Sequence, residues 1–165
     1  WYTDYNVDKL YELSPTDFSV VKQSSSPSTY PWGIGGSADV VWHTDGNANK
    51  IYELSPTDFS IVRSASSPTS SPRTVGGTTD VIWYANSLNP NTGYELSPTD
   101  FSVVRSADLP DQEAEGIGGS SDRIWYSSRP NEYLYELSPT DFSVVKQVKP
   151  PIVSALADDY GIGGK

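Results

Sequence analysis

Tyr11-Glu12-Leu13-Ser14-Pro15-Thr16-Asp17-Phe18-Ser19 recurs at Tyr52–Ser60, Tyr94–Ser102 and Tyr135–Ser143, in steps of 41, 42 and 41 residues. Trp1, Trp42, Trp83 and Trp125 follow at steps of 41, 41 and 42, and the glycine pairs Gly35-Gly36, Gly76-Gly77, Gly118-Gly119 and Gly163-Gly164 at steps of 41, 42 and 45. A fixed period of this size over nearly the whole chain marks an architecture built of repeated units, each unable to bury its own apolar surface alone. In order, one unit is a Gly-Ile-Gly-Gly segment, a Ser/Thr-Asp turn, an apolar run ending in Trp and a polar loop. Tyr-Glu-Leu, Ser-Pro-Thr-Asp, Phe-Ser-Val-Val and a Ser/Pro-rich connector complete it.

The local chemistry is that of strands. Val40-Val41-Trp42 and Val81-Ile82-Trp83 are β-branched and aromatic without alternation, as expected of strands covered on both faces. Ser14-Pro15-Thr16-Asp17 reads as a tight turn, with proline setting φ and Ser and Asp bonding nearby backbone. Folding about it opposes Leu13 to Phe18 and Tyr11 to Val20, and puts the four on one face. No apolar stripe of helical period is present, and Pro and Gly interrupt the chain every few residues. Four short strands in about 41 residues is the size of a propeller blade. The glycine segment is expected innermost, where backbones crowd the axis and leave no room for Cβ.

Gly-Ile-Gly-Gly, Asp80-Val-Ile-Trp-Tyr84, Lys50-Ile-Tyr-Glu-Leu-Ser-Pro-Thr57 and Ser102-Val-Val-Arg105 together resemble β-propeller repeats of the NHL, YVTN and LVIVD kind. The resemblance implies a glycine-bearing inner strand, a second strand, a polar hairpin and a Leu-Asp-Pro-like turn before the outer strand. It extends over all four units and speaks to fold, since propellers host many activities. The expectation is a single all-β domain over residues 1–165, a four-bladed β-propeller with units of about 1–36, 37–77, 78–119 and 120–164, circularly permuted relative to the blades. Closure falls to the C-terminal glycine strand, Gly161-Ile162-Gly163-Gly164, pairing with the N-terminal blade. The rival is an open half-ring that joins a second copy to give eight blades.

Composition narrows function by exclusion. A net charge of −10 and a pI near 4.3 repel phosphate backbones, so nucleic acid is not an expected partner. Membrane insertion is not expected, because no apolar run reaches spanning length. Without cysteine there is neither a disulfide framework nor a thiolate metal site. No Asn-X-Ser/Thr acceptor occurs. Trp1 is no initiator methionine and no methionine occurs at all, so the sequence reads as a processed, excised or partial chain, with an extracellular or cell-surface location expected.

Candidate site residues follow from the repeat. His43 stands where the other units carry Tyr2, Tyr84 and Tyr126, and reads as a variant of that aromatic rather than a catalytic base. These four, with Tyr30 and Trp32 from a connector, are the candidate ligand-binding residues. The Trp set is expected between blades, with sugar stacking as its alternative. Asp39, Asp80 and Asp122 repeat after the glycine pair; they suit a backbone-bonding turn or a ring of carboxylates holding a cation in the central channel. Asp45-Gly46-Asn47-Ala48-Asn49 begins like a calcium loop, but Lys50 and Pro56 occupy the positions that need Gly and Glu, so it reads as a hairpin turn. No cofactor and no catalytic residue is expected. The function expected is a non-enzymatic structural, adhesive or interaction module with a protein or glycan ligand, and with a homo-oligomer as a further form. A lectin-like binder with one site per blade comes second, and a metal-dependent lactonase or lyase third.

Overall fold

In the computed structural model, residues 1–129 and 131–150 are described, and their regular structure is strand throughout. The first sheet holds β1 (Tyr2–Asp4), β2 (Lys9–Leu13) and β3 (Val20–Ser25). The second holds β4 (Pro31–Gly36), β5 (Val41–Asp45), β6 (Lys50–Leu54) and β7 (Ile61–Ser66). The third holds β8 (Pro72–Gly77), β9 (Ile82–Asn86), β10 (Thr92–Leu96) and β11 (Val103–Asp108). The fourth holds β12 (Ala114–Ser120), β13 (Arg123–Ser128), β14 (Leu134–Leu137) and β15 (Val144–Val148). Every sheet is an antiparallel meander in chain order. These are the four blades of the propeller that the repeat predicts. The strand expected to complete the first blade, Gly161–Gly164, lies outside the described residues.

The glycine strands β4, β8 and β12 are innermost and pack on one another. Their spacing leaves no room for a side chain. A Cβ on Gly76 would come within 2.6 Å of the Ile117 carbonyl oxygen and 2.9 Å of Gly118 Cα, both backbone of the next blade. Gly77 adds a left-handed φ of 133° at the turn into β9. Two glycines in succession are thus required for different reasons, close approach and then conformation.

The Ser-Pro-Thr-Asp turn departs from the expected register. Leu13 pairs with Val20 and Tyr11 with Gln23, with a bulge between Glu12 and Leu13. The loop is longer than four residues. Phe18 N donates to Ser14 O at 2.9 Å and Ser14 N to Ser19 O at 2.8 Å, closing a six-residue turn. Phe18, Phe59, Phe101 and Phe142 all take the left-handed region, at φ of 57°, 62°, 62° and 60°. This conformation is rare for a bulky residue and needs outside support. The support comes from the blade before: Trp1–Phe59, Trp42–Phe101 and Trp83–Phe142 meet edge-to-face at 5.7, 5.9 and 5.7 Å. Edge-to-face contact sets the positive ring edge on the negative ring face. Trp1, Trp42 and Trp83 are therefore core between blades, the last two fully buried, whereas Trp125 is exposed.

A polar chain runs along each junction. Glu12, Glu53 and Glu95 hold Lys22, Arg63 and Arg105 across one strand pair. Those cations donate onward to turn carbonyls of the next blade: Lys22 to Pro56, Arg63 to Pro98 and Thr99, Arg105 to Thr140. Trp42 Nε1 donates to Thr78 O and Trp83 Nε1 to Ser120 O, both at 3.1 Å. Each junction thus combines an apolar contact, which supplies burial, with hydrogen bonds that fix the angle between blades.

Candidate functional site

One rim of the propeller gathers the hairpins that join second to third strands and the connectors that join blades. Each connector bonds both hairpins beside it. Ser67 N donates to Asn49 O and Ser87 N to Ser71 O, and the next connector repeats the pattern with Leu109 N to Asn91 O and Arg129 N to Glu113 O. The opposite rim carries the near-identical Ser-Pro-Thr-Asp turns. Sequence variation is thus concentrated on one rim, above a rigid support.

The aromatic position of the repeat holds those connectors down. His43, Tyr84 and Tyr126 are fully buried. His43 Nε2 lies 3.3 Å from Ser26 Oγ, and its Nδ1 lies 2.9 Å from Gly33 O. Tyr84 OH meets Thr69 Oγ1 at 2.7 Å. Tyr126 OH accepts from Asn91 Nδ2 at 2.7 Å and donates to Asp111 O at 3.2 Å. Burial pushes the Tyr84 phenol up to about 12 and the Tyr126 phenol higher still, and it lowers His43 to about 4. None of the three presents a ring face to solvent. Tyr2 differs: it is 43% exposed, with its ring 5.8 Å from that of Tyr11.

Tyr30 is exposed and takes a left-handed φ of 68°, with its N–H donating to Asp8 Oδ1 at 3.2 Å. Trp32 lies within β4 rather than in the connector, and the Arg73 guanidinium covers its ring at 4.3 Å. Asp39, Asp80 and Asp122 are exposed at turns of the opposite rim. Asp39 N and Asp80 N bond Ser37 Oγ and Thr78 Oγ1, and Asp122 Oδ1 accepts from Ser120 Oγ, which holds its carboxyl below the usual range. Among the described residues, no three His, Asp or Glu side chains are grouped to hold a metal.

Polar side chains converge elsewhere, between blades 3 and 4. A cleft of about 480 Å³ opens there, lined by Asn89–Asn91, Asp108–Gln112 and Asn131. Its floor is a fixed network. Asp111 Oδ2 accepts from Ser128 Oγ at 2.9 Å, while Oδ1 accepts from Asn131 Nδ2 and from Gln112 N, both at 2.9 Å. Asn91 donates Nδ2 to Asp111 O at 3.0 Å and is only 4% exposed. Its Oδ1 has no partner among the described residues. A buried amide oxygen left without a donor costs about 1–3 kcal/mol, and this one is sealed from solvent, so the polar groups the cleft offers are those around it. Around it Asn89, Asp108, Gln112 and Asn131 are exposed.

The repeat pattern does not mark this cleft. Its signal was present in the composition of the variable loops: amide and acidic residues cluster in Asn89-Pro90-Asn91 and Asp108–Gln112, which lie 20 residues apart in the chain. Only the stitching of hairpin to connector brings them together.

No protein-family model and no curated protein matches the chain. Solved structures do. It is similar to the glutaminyl cyclase of Myxococcus xanthus, with a TM-score of 0.71 and 11% identity over 86% of this chain and 62% of that one. It is similar to the virginiamycin B lyase of Staphylococcus aureus, with a TM-score of 0.62 and 19% identity over 94% of this chain and 53% of that one. The WD40 domain of Neurospora crassa Pan2 aligns with a TM-score of 0.60 and 11% identity over 87% and 47%. The chain is a β-propeller. It spans between about half and three-fifths of the length of these propellers. At such identities the likeness is one of fold, and that fold is shared here by enzymes and by a WD40 domain.

Proposed function

We propose that this propeller is a non-enzymatic interaction module of the extracellular space or cell surface, adhesive or structural in role, that takes its ligand at the cleft between blades 3 and 4. The observation that supports this reading is the convergence of the exposed Asn89, Asp108, Gln112 and Asn131 around one open cleft. Amides offer a donor and an acceptor side by side, and carboxylates accept. That set suits vicinal hydroxyls, each of which both donates and accepts, so a glycan is the ligand class favoured. The single histidine supports the non-enzymatic half: buried, lowered to about 4 and engaged with Ser26 and Gly33, His43 faces no space for a substrate.

Binding to a glycan array, followed by titration calorimetry on the hits, tests this reading. Gln112→Ala and Asn131→Ala remove exposed cleft walls, and each is expected to weaken a glycan hit at least about tenfold, the value of one good hydrogen bond to a fixed group. A hit of undiminished affinity in both variants would remove the ligand from this cleft. An array without hits would overturn the glycan assignment.

A further inference from the structure

Two blade faces are left over when the three internal junctions are made. The forward face of blade 4 carries Trp125 at the position of Trp1, Trp42 and Trp83, and Leu134 at that of Leu10 and Ile51. Lys146 faces Glu136 across β14 and β15, just as Lys22, Arg63 and Arg105 face their own glutamates. The back face of blade 1 carries Tyr11, Leu13 and Phe18, whose counterparts in blades 2 to 4 are buried, save Tyr94, which is half-buried. Phe18 is 76% exposed, whereas Phe59, Phe101 and Phe142 are 4%, 7% and 3% exposed. Trp125 is 38% exposed, against 1% for Trp42 and 0% for Trp83. A shallow hollow of about 240 Å³, lined by Tyr2, Tyr11, Leu13 and Val20, marks the uncovered face of blade 1.

We propose that these two faces are the halves of a fourth kind of junction, made head to tail with a second copy of this chain. Continuity with the internal junctions selects the occupant. Each of those joins a Trp and a basic side chain on one blade, with a Leu or Ile beside them at the first two and Gly93 at the third, to a left-handed Phe and turn carbonyls on the next. Trp125, Leu134 and Lys146 offer the first half, and Phe18 with the carbonyls of Pro15 and Thr16 offers the second. Phe18 is a bulky residue at φ 57°, and among the described residues no ring from another blade packs on it, the support that its three counterparts have. Lys146 has no partner among the described residues, because Arg123 occupies Glu136 at 3.5 Å. The ammonium is thus available to a carbonyl of another molecule. The one departure is Arg123 in place of Val40 and Val81, with its guanidinium 5.7 Å from the Trp125 ring centre. Among the described residues neither face is covered, and two copies satisfy both at once by meeting at two equal junctions.

Light scattering on the eluting peak of the full chain reads the outcome. The expected mass is about 36 kDa, twice the 18.0 kDa of one chain. Phe18→Asp and Trp125→Asp each alter an exposed side chain, so circular dichroism should be unchanged while the mass falls to that of one chain. Direction is read by disulfide trapping, which is clean because the chain has no cysteine. Phe18→Cys mixed with Trp125→Cys should give the mixed disulfide at least about tenfold over either like pair, as a head-to-tail contact requires. A wild type of one-chain mass at all concentrations, a dimer surviving both Asp variants, or equal trapping of like and unlike pairs would each overturn the proposal.

Discussion

The indole of Trp42 meets the ring of Phe101 edge-on at 5.9 Å, and the Arg63 guanidinium lies over the same phenyl ring at 4.8 Å. Two blades are joined there by an aromatic contact with a cation on its outer side. The same three-part joint recurs at Trp1, Phe59 and Lys22. Much of the stability of the molecule resides in these joints, because each blade is thin and buries its faces only against its neighbours.

Removing a ring from an internal joint should therefore cost as much as opening a hole in a globular core. Trp83→Ala and Phe142→Ala are each expected to lose about 3–5 kcal/mol by urea unfolding. The double variant should lose less than the sum, since both remove the same contact. Additive losses would show that the two rings act separately.

Arg63 contributes through direction rather than area. Arg63→Ala is expected to cost about 1–2 kcal/mol, less than a buried charge pair because the guanidinium is one-third exposed on its side chain. Added salt should shrink the difference. Lysine in its place keeps the charge but loses the fork that reaches Pro98 and Thr99 together, so Arg63→Lys should recover only part of the loss.

Glycines at the axis and in the blades should respond differently to a methyl group. Gly76→Ala sets Cβ against fixed backbone of the next blade, at 2.6 Å from Ile117 O. Gly93 occupies the position of Leu10 and Ile51, and a Cβ there meets the side-chain ends of Leu109 and Phe142 at 2.9 Å. Those ends can shift. Gly93→Ala is expected to cost about 1–3 kcal/mol. Gly76→Ala should cost more, and thermal unfolding that ranks them the other way would refute this account of the axis.

Acid should destabilise the protein through His43. Its folded pKa is lowered from 6.5 to about 4 by burial. Between those values the unfolded chain binds a proton that the folded one refuses, so stability falls as pH drops from about 6.5 to about 4 and is fully present above that window. The loss is about 3 kcal/mol across it. His43→Gln, which cannot titrate, should flatten the dependence of unfolding free energy on pH through the same range.

The turn carboxylates add to acid sensitivity at lower pH. Serine hydroxyls and the backbone N–H two residues on hold Asp58, Asp100 and Asp141 below the usual carboxylate range, and Asp17 behaves alike. Their stabilisation is present above the ordinary Asp pKa and is lost as pH falls through the depressed values. Carboxyl-carbon NMR titration should show five Asp resonances moving last on acidification, these four and that of Asp122. Normal titration at these sites would mean that the serine contacts are not kept in solution.

The sequence made the blades legible because the repeat states each strand four times, and the shared chemistry of Gly76, Trp83 and Leu96 has one reading in each place. The inner position of the glycines followed from the same logic, since nothing larger than hydrogen fits beside Ile117 O. The register of the Ser-Pro-Thr-Asp hairpin was not legible. Proline suggested a four-residue turn, but the left-handed Phe needs a Trp from another blade, a partner 59 residues away for Phe101 and Trp42 and absent from any local pattern. The aromatic column His43, Tyr84 and Tyr126 was found as a column and misplaced as a surface, because a polar ring tip reads alike whether it faces solvent or a connector. The Asn91–Asp111 cleft escaped notice for the opposite reason: its members share no motif and meet only through tertiary stitching.

A chain of near-copies runs a hazard while folding, since any blade could mistake a distant segment for its proper neighbour. The rim clamps provide a remedy. His43 with Ser26, Tyr84 with Thr69, and Tyr126 with the Asp111 carbonyl and Asn91 are three dissimilar fastenings of equivalent rings. A strand that threads into the wrong copy meets the wrong latch and leaves a polar tip buried without its mate. Diversity at the clamps thus gives each module an address, and lets the chain count its own blades in order.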